Sequence, residues 1–228
     1  MRYESTLTNP ELIAARSAVR ARAENRRLGG RAGEIMQAAR VLFERDGVGA
    51  TTVTRIAQEC GMTRELFYYY FPSKQGVVDA VLDDYIEDIV ESVAVWNEMR
   101  AFGATPESLR ACIATLRRTL YDADGSPRPM IRVVEELRVR DAFDVRGVRA
   151  AAEYLCNNVV SEYDAYHEIA IDYVFEMFCL VLFGLVGLMK VNPGITDDAL
   201  MKVVEQTLRL DMTPLPAEAQ RSGEARRS

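Results

Sequence analysis

Between Thr51 and Lys74 the sequence has room for only two short helices and one tight turn. Thr51 and Thr52 precede Val53, Ile56 and Ala57, which recur at helical spacing, and Cys60-Gly61 ends that helix after little more than two turns. Thr63 opens a second segment that Pro72 halts. As a strand, F67-Y-Y-Y-F71 would set Phe67, Tyr69 and Phe71 opposite Tyr68 and Tyr70. As a helix it puts Phe67 and Phe71 on one stripe and turns Tyr68 away. A glycine turn between two short capped helices favours the second reading, a helix-turn-helix. Phe67 and Phe71 then pack inward on Ile56 and on the helix upstream of Thr51, leaving Arg64, Tyr68 and the other outward hydroxyls at the surface. Ser73 can cap a further helix starting at Lys74, so a cation and free backbone N–H groups share a corner suited to phosphate.

The rest of the chain reads as helix, which predicts an all-α protein. Upstream, Ile35, Ala38, Ala39, Leu42 and Phe43 mark a helix from Arg31 to Asp46-Gly47. Downstream, the helix from Lys74 runs to Met99 on a stripe of Val78, Val81, Leu82, Tyr85, Ile89 and Val93, with Phe102-Gly103 as its stop. Thr105-Pro106-Glu107 starts a helix to about Tyr121. After the loop at 122–129, helices are predicted near 130–138, 144–162, 166–189 and 196–210. Four regions follow. Residues 1–30 form a basic extension whose arginines are either a solvated face or an arm along a nucleic-acid groove. Residues 31–78 form the helix-turn-helix domain, 79–212 a second helical domain and 213–228 a disordered tail.

Charge is divided unequally along these regions. Residues 1–78 hold twelve Arg and Lys against eight Asp and Glu, a balance of +4, and residues 79–228 hold sixteen against twenty-six, a balance of -10. A polyanion would therefore meet the N-terminal third more readily than the remainder.

The segments T52-V-T-R-I-A57, G61-M-T63 and Y68-Y-Y-F-P-S-K74 together resemble the TetR family of bacterial transcriptional repressors, over roughly residues 33–78. The resemblance implies an N-terminal three-helix DNA-binding module followed by a helical domain for effector binding and dimerisation. It implies that Thr52, Thr63, Tyr68, Tyr70 and Lys74 meet DNA phosphates, and that Arg64 and Glu65 occupy the base-reading start of the recognition helix. Glu65 departs from the small residue often found there, and a carboxylate at DNA must find a cytosine amino group or suffer repulsion. Tyr69 joins the set as a further outward hydroxyl. Tyr69 and Tyr70 are alternatively core aromatics whose hydroxyls reach the surface, and Lys74 alternatively a solvated lysine at a helix start.

The resemblance also implies that the last two helices of each subunit form a four-helix dimer interface, and that the helices before them enclose a small-molecule pocket, which no spacing in the sequence reveals. Leu180, Gly184, Gly187 and Val191 make a smooth stripe on the most apolar helix, set either against a second subunit or inside one; Val204 and Leu208 extend the interface on the last helix. Glu135 and Glu136, Asp172 and Glu176 are ionisable groups on otherwise apolar helices, the last two on one face; they are either solvated or paired, or one of them orients an effector. Tyr85, Tyr121, Tyr154 and Tyr173, with the region's negative balance, favour an apolar or cationic effector over an anion.

Enzyme chemistry finds little support. His167 is the single histidine, and there is no GxSxG, no glycine-rich phosphate loop after a strand and no carboxylate pair with a neighbouring base. Cys60, Cys112, Cys156 and Cys179 are scattered among apolar residues without zinc or redox spacing, so buried free thiols, no metal and no cofactor are expected. No apolar leader stands at the N-terminus, and the uncharged run 177–189 is too short for a bilayer, so a soluble, cytoplasmic protein with no membrane partner is expected, at the nucleoid when DNA-bound. The resulting expectation is a homodimeric transcriptional repressor on a palindromic double-stranded operator, released by a small-molecule effector. The alternative is a helical protein-interaction adaptor in which the helix-turn-helix is structural.

Overall fold

The computed structural model describes residues 30–100, 105–213 and 215–216. The basic extension, the Phe102-Gly103 stop and most of the expected tail lie outside them. The described residues are all-α, as expected. In chain order the helices are α1 (Arg31–Asp46), α2 (Val53–Glu59), α3 (Arg64–Tyr70), α4 (Lys74–Met99) and α5 (Thr105–Leu120). They continue with α6 (Pro129–Glu136), α7 (Arg140–Leu155), a π turn (Cys156–Val160), α8 (Ser161–Asp164), α9 (Val174–Val191) and α10 (Asp197–Leu208).

Two compact units share these helices, one of residues 30–88 with 126–145, the other of 89–125 with 146–216. The expected boundary at 78/79 is therefore displaced into α4, and 126–145 joins the helix-turn-helix unit instead of the second domain. The physical reason is Glu136. At the end of α6 its carboxylate accepts hydrogen bonds from the backbone N–H of Val48 (2.9 Å) and Gly49 (2.6 Å), in the loop between α1 and α2.

In the first unit α1 packs against α2, α3 and α6, burying Ile35, Ala39, Leu42 and Phe43 at helical spacing. Gly47 ends α1 with φ +85°, a conformation that L side chains rarely adopt, and a Cβ there would stand 3.0 Å from Glu136 Oε2. Tyr85 is fully buried on α4, its hydroxyl donating to Glu44 Oε1 (2.9 Å) beneath the Arg40 guanidinium. Arg40 in turn pairs with Asp84 and with Asp88 (2.6 Å). Burial pushes the Tyr85 phenol far above its ordinary range, and the adjacent Glu44 carboxylate adds to the effect.

In the second unit Arg117 ties α5 to Asp197 (2.8 Å) and to the Ile195 carbonyl (2.7 Å) at the start of α10, which Thr196 caps by accepting from the Ala199 N–H. Arg110 reaches the neighbouring Asp198. Two expected helices change here. The helix placed at 144–162 begins four residues earlier, at Arg140, and is interrupted by the π turn, where Asn158 donates to the Tyr154 carbonyl (2.7 Å). The helix placed at 166–189 starts only at Val174, because Ile169 and Ile171, two residues apart, leave helical spacing to pack on Cys156, Val160 and Val174.

Candidate nucleic-acid interface and ligand cavity

Phe67 fixes the orientation of α3. It is fully buried, with the Tyr68 ring edge-on at 5.5 Å and Phe71 at 6.0 Å, so Arg64, Tyr68 and Tyr69 stand exposed on the outer side. Tyr69 is 80% exposed, which removes it from the core; Tyr70 is half-buried with its ring edge-on to Tyr69 at 5.1 Å. Thr52 and Thr63 cap α2 and α3, accepting from the N–H of Arg55 (3.2 Å) and Leu66 (3.3 Å). Gly61 supplies the left-handed turn between the two helices at φ +60°.

Glu65 is exposed, and its carboxylate is kept below the usual carboxylate range chiefly by its own backbone N–H and then by the Thr63 hydroxyl. Lys74 has a local task that the sequence did not reveal. Lys74 Nζ donates to the Val48 carbonyl (2.5 Å), while Ser73 Oγ accepts from the Gly76 N–H (3.1 Å) as expected. The loop between α1 and α2 is thus gripped from two sides: Lys74 binds the carbonyl of Val48 and Glu136 its N–H. Arg55 also joins α2 to the end of α1, through Asp46 (2.8 Å).

Within the second unit lies a cavity of about 200 Å³. Ile89, Val93, Trp96 and Arg100 face it from one side of α4, Ile113 and Leu116 from α5, Phe178 and Leu185 from α9, and Val204 and Leu208 from α10. None of the effector candidates lines it. Tyr85 belongs to the first unit's core, and Glu135, also in that unit, is exposed near Arg140 (3.5 Å). Tyr154 accepts from Asn97 Nδ2 (3.4 Å), and Tyr121 and Glu176 are half-buried away from the cavity. Asp172 and Tyr173 are exposed just before α9, so Asp172 and Glu176 do not share a helical face as expected. Trp96, Arg100, Cys112, Glu162, Tyr163 and His167, which do line the cavity, were missed. The spacing 89, 93, 96, 100 was a readable signal, since it continues the apolar stripe of α4 onto a tryptophan and an arginine.

The α9 stripe is open. Leu180 is 61% and Val191 86% exposed, and a Cβ added at Gly184 or Gly187 meets nothing within 4 Å. Burial inside one subunit is thereby corrected. Val204 and Leu208 are corrected in the opposite sense: both are buried in the cavity wall, and Val203 is the outward residue of α10. By length and composition α9 could also cross a membrane, because the helix extends past the uncharged run to 18 residues with a mean hydropathy of 2.1; only 22% of them are buried by the chain itself.

Residues 35–81 match the family of bacterial regulatory proteins, tetR family. The HTH-type transcriptional repressor KstR2 of Rhodococcus jostii (strain RHA1) is 28% identical over 107 residues, covering 47% of this chain and 50% of the relative. KstR2 of Mycobacterium tuberculosis (strain ATCC 25618 / H37Rv) is 35% identical over 71 residues, 28% of this chain and 36% of the relative. The chain thus spans half or less of the length of these curated relatives. Among solved structures, the flavonoid-responsive regulator FrrA superposes with a TM-score of 0.54 at 20% identity, over 78% of this chain and 93% of its own. The multidrug binding protein EbrR complexed with ethidium gives 0.53 at 16% identity, over 79% and 100%. These two likenesses establish a shared fold.

Proposed function

We propose that this chain, whose residues 35–81 match the tetR family of bacterial regulatory proteins, is a transcriptional regulator of that family, a homodimeric repressor that holds a palindromic operator and releases it when a small molecule enters the cavity. One observation carries the reading: α3 buries Phe67 and turns Arg64, Tyr68 and Tyr69 outward at the head of a capped helix. Arg64 can grip guanine O6 and N7 together, and the tyrosine hydroxyls can bond phosphates. Lys74 keeps two ammonium protons for a phosphate while the third holds Val48. Repression is supported by the name of the KstR2 relatives.

Coupling would run through α4. The helix carries Val77, Val81 and Tyr85 in the core of the first unit and Ile89, Val93 and Trp96 in the cavity wall of the second, without a break in its 26 residues. A ligand that favours another tilt of α4 with a differential affinity of about 1 to 3 kcal/mol would weaken DNA binding roughly five- to 150-fold, and DNA would weaken the ligand equally. The test is selection of bound genomic fragments followed by gel shift. An inverted-repeat fragment bound by a dimer, with affinity falling steeply in salt, is expected. No selected sequence would leave the helix-turn-helix as a structural element of an adaptor, whereas a single half-site bound by a monomer would overturn the homodimer on a palindrome.

A further inference from the structure

We propose that the cavity takes a compact, uncharged, mostly apolar molecule whose one hydroxyl donates a hydrogen bond to His167 Nε2; this rests on the effector reading above and names the chemistry of the effector. The His167 side chain is only 6% exposed, stacks on Tyr163 at 4.7 Å and forms part of the cavity lining. Its Nδ1 lies 3.4 Å from Asp211 Oδ2, and the Asp211 N–H donates to the Tyr163 hydroxyl (2.6 Å), so the ring is held from behind. Its other nitrogen, Nε2, is buried with no hydrogen-bond partner among the described residues. Buried polar atoms in folded proteins are paired, and leaving one bare is costly, so this atom calls for a group supplied from outside the chain.

The chemistry of that group follows from the tautomer. A carboxylate facing Nδ1 keeps the proton on Nδ1, and in the neutral ring Nε2 is then an acceptor whose complement is an O–H. Charge on the ligand is disfavoured. Arg100, the cation in the lining, is 8% exposed and already faces Glu162 at 2.9 Å, with Nε donating to Asn97 Oδ1 (2.8 Å). Glu168, the other carboxylate of the lining, is exposed to solvent; the walls opposite are apolar, including Ile89, Val93, Ile113, Phe178 and Leu185, and an ion transferred there would lose its hydration without a buried counter-charge free to pair with it. At interior packing density about 200 Å³ holds roughly ten heavy atoms, below the size of most drug-like ligands.

Trp96, the single tryptophan of the chain, lines the same cavity and reports occupancy. The full chain at pH 8 is titrated, by Trp96 fluorescence, with 1-octanol, its isomer heptyl methyl ether, octane and octanoate. The octanol is expected to bind about three- to tenfold more tightly than the ether, the span of one net hydrogen bond. In His167→Phe that preference should disappear while octane still binds, which also shows that the variant is folded; His167→Gln, whose amide oxygen can accept, should keep part of the preference. Equal binding of octanol and ether, tightest binding of octanoate, or no binding of any probe would each overturn the proposal. Operator release is measured separately. Probes that bind without a hydroxyl preference yet release DNA leave the effector reading standing and remove this one. A His167-dependent preference with no change in operator affinity does the reverse.

Discussion

Replacing Gly187 by leucine should stabilise the α9 helix and break the proposed dimer, two effects of opposite sign that only an exposed interface can give together. Inside one chain the substitution meets nothing: a Cβ at Gly187 has no heavy atom within 4 Å. Leucine is also the better helix former, by about 0.5 to 1 kcal/mol. At a close helix–helix contact the same side chain is a wedge, and overpacking costs about 1 to 3 kcal/mol per site. A two-fold interface contains the site twice, so the dimer should lose roughly 2 to 6 kcal/mol, about 30-fold to more than 10⁴-fold in dissociation constant. Sedimentation equilibrium gives the association constant, and urea unfolding at low protein concentration gives the stability of the subunit. Gly187→Ala, a smaller wedge, should fall between. A dimer unchanged in Gly187→Leu would refute the interface, and a subunit that no longer folds would refute the claim that this face is open.

Glu136→Gln loses the charge that holds the Val48 and Gly49 N–H groups and turns an amide NH₂ toward one of them, so it should cost about 1 to 2 kcal/mol in urea unfolding, the site being partly solvated; an unchanged midpoint would make the contact incidental. Tyr68→Phe should weaken operator binding by about 0.5 to 1.5 kcal/mol without changing sequence preference, whereas Arg64→Ala should relax preference at one position per half-site by about 1 to 3 kcal/mol; a uniform loss for Arg64→Ala would make it a phosphate contact. Burial pushes the Cys112 thiol up to about 12, and only the thiolate reacts. The rate of its alkylation by iodoacetamide, followed by peptide mapping, should therefore be about one ten-thousandth of that of the fully ionised thiol at pH 8 and rise about tenfold per pH unit well beyond pH 9. A plateau near pH 9 would mean that the thiol is solvated.

The helix-turn-helix was legible in the sequence because its signals are local. Threonine caps, a glycine turn and a proline stop act over three or four residues, and Thr52, Thr63, Gly61 and Ser73 behave in the structure as the spacing predicts. The second unit was legible only as helices. Its effector candidates were chosen for residue type, tyrosines and carboxylates on apolar helices, while the cavity is defined by which faces of α4, α5, α9 and α10 converge. Tyr85 shows the difference: on the α4 stripe it is indistinguishable from Ile89, yet it lies in the other core, bonded to Glu44. Lys74 and Glu136 show a further limit. Each bonds backbone of the loop at Val48, 26 and 88 residues away in sequence, and no periodicity reports a side chain that binds distant main chain.

That loop bears on how α4 could transmit a signal. Lys74, the first residue of α4, is fastened to Val48, and the next turns of the helix are buried through Val77, Val78, Val81 and Tyr85. From Ile89 onward the same helix instead faces the cavity with Val93, Trp96 and Arg100. A ligand can shift a conformational equilibrium only by interacting differently with its two states. In this helix the difference must arise in the C-terminal half, because only there do the side chains gain new neighbours when the cavity is occupied. The N-terminal half has a close-packed core around it, which transmits displacement instead of absorbing it. Under the proposed coupling, a change in the tilt of α4 would reach Lys74 and, through its bond to the Val48 carbonyl, the loop that leads into α2.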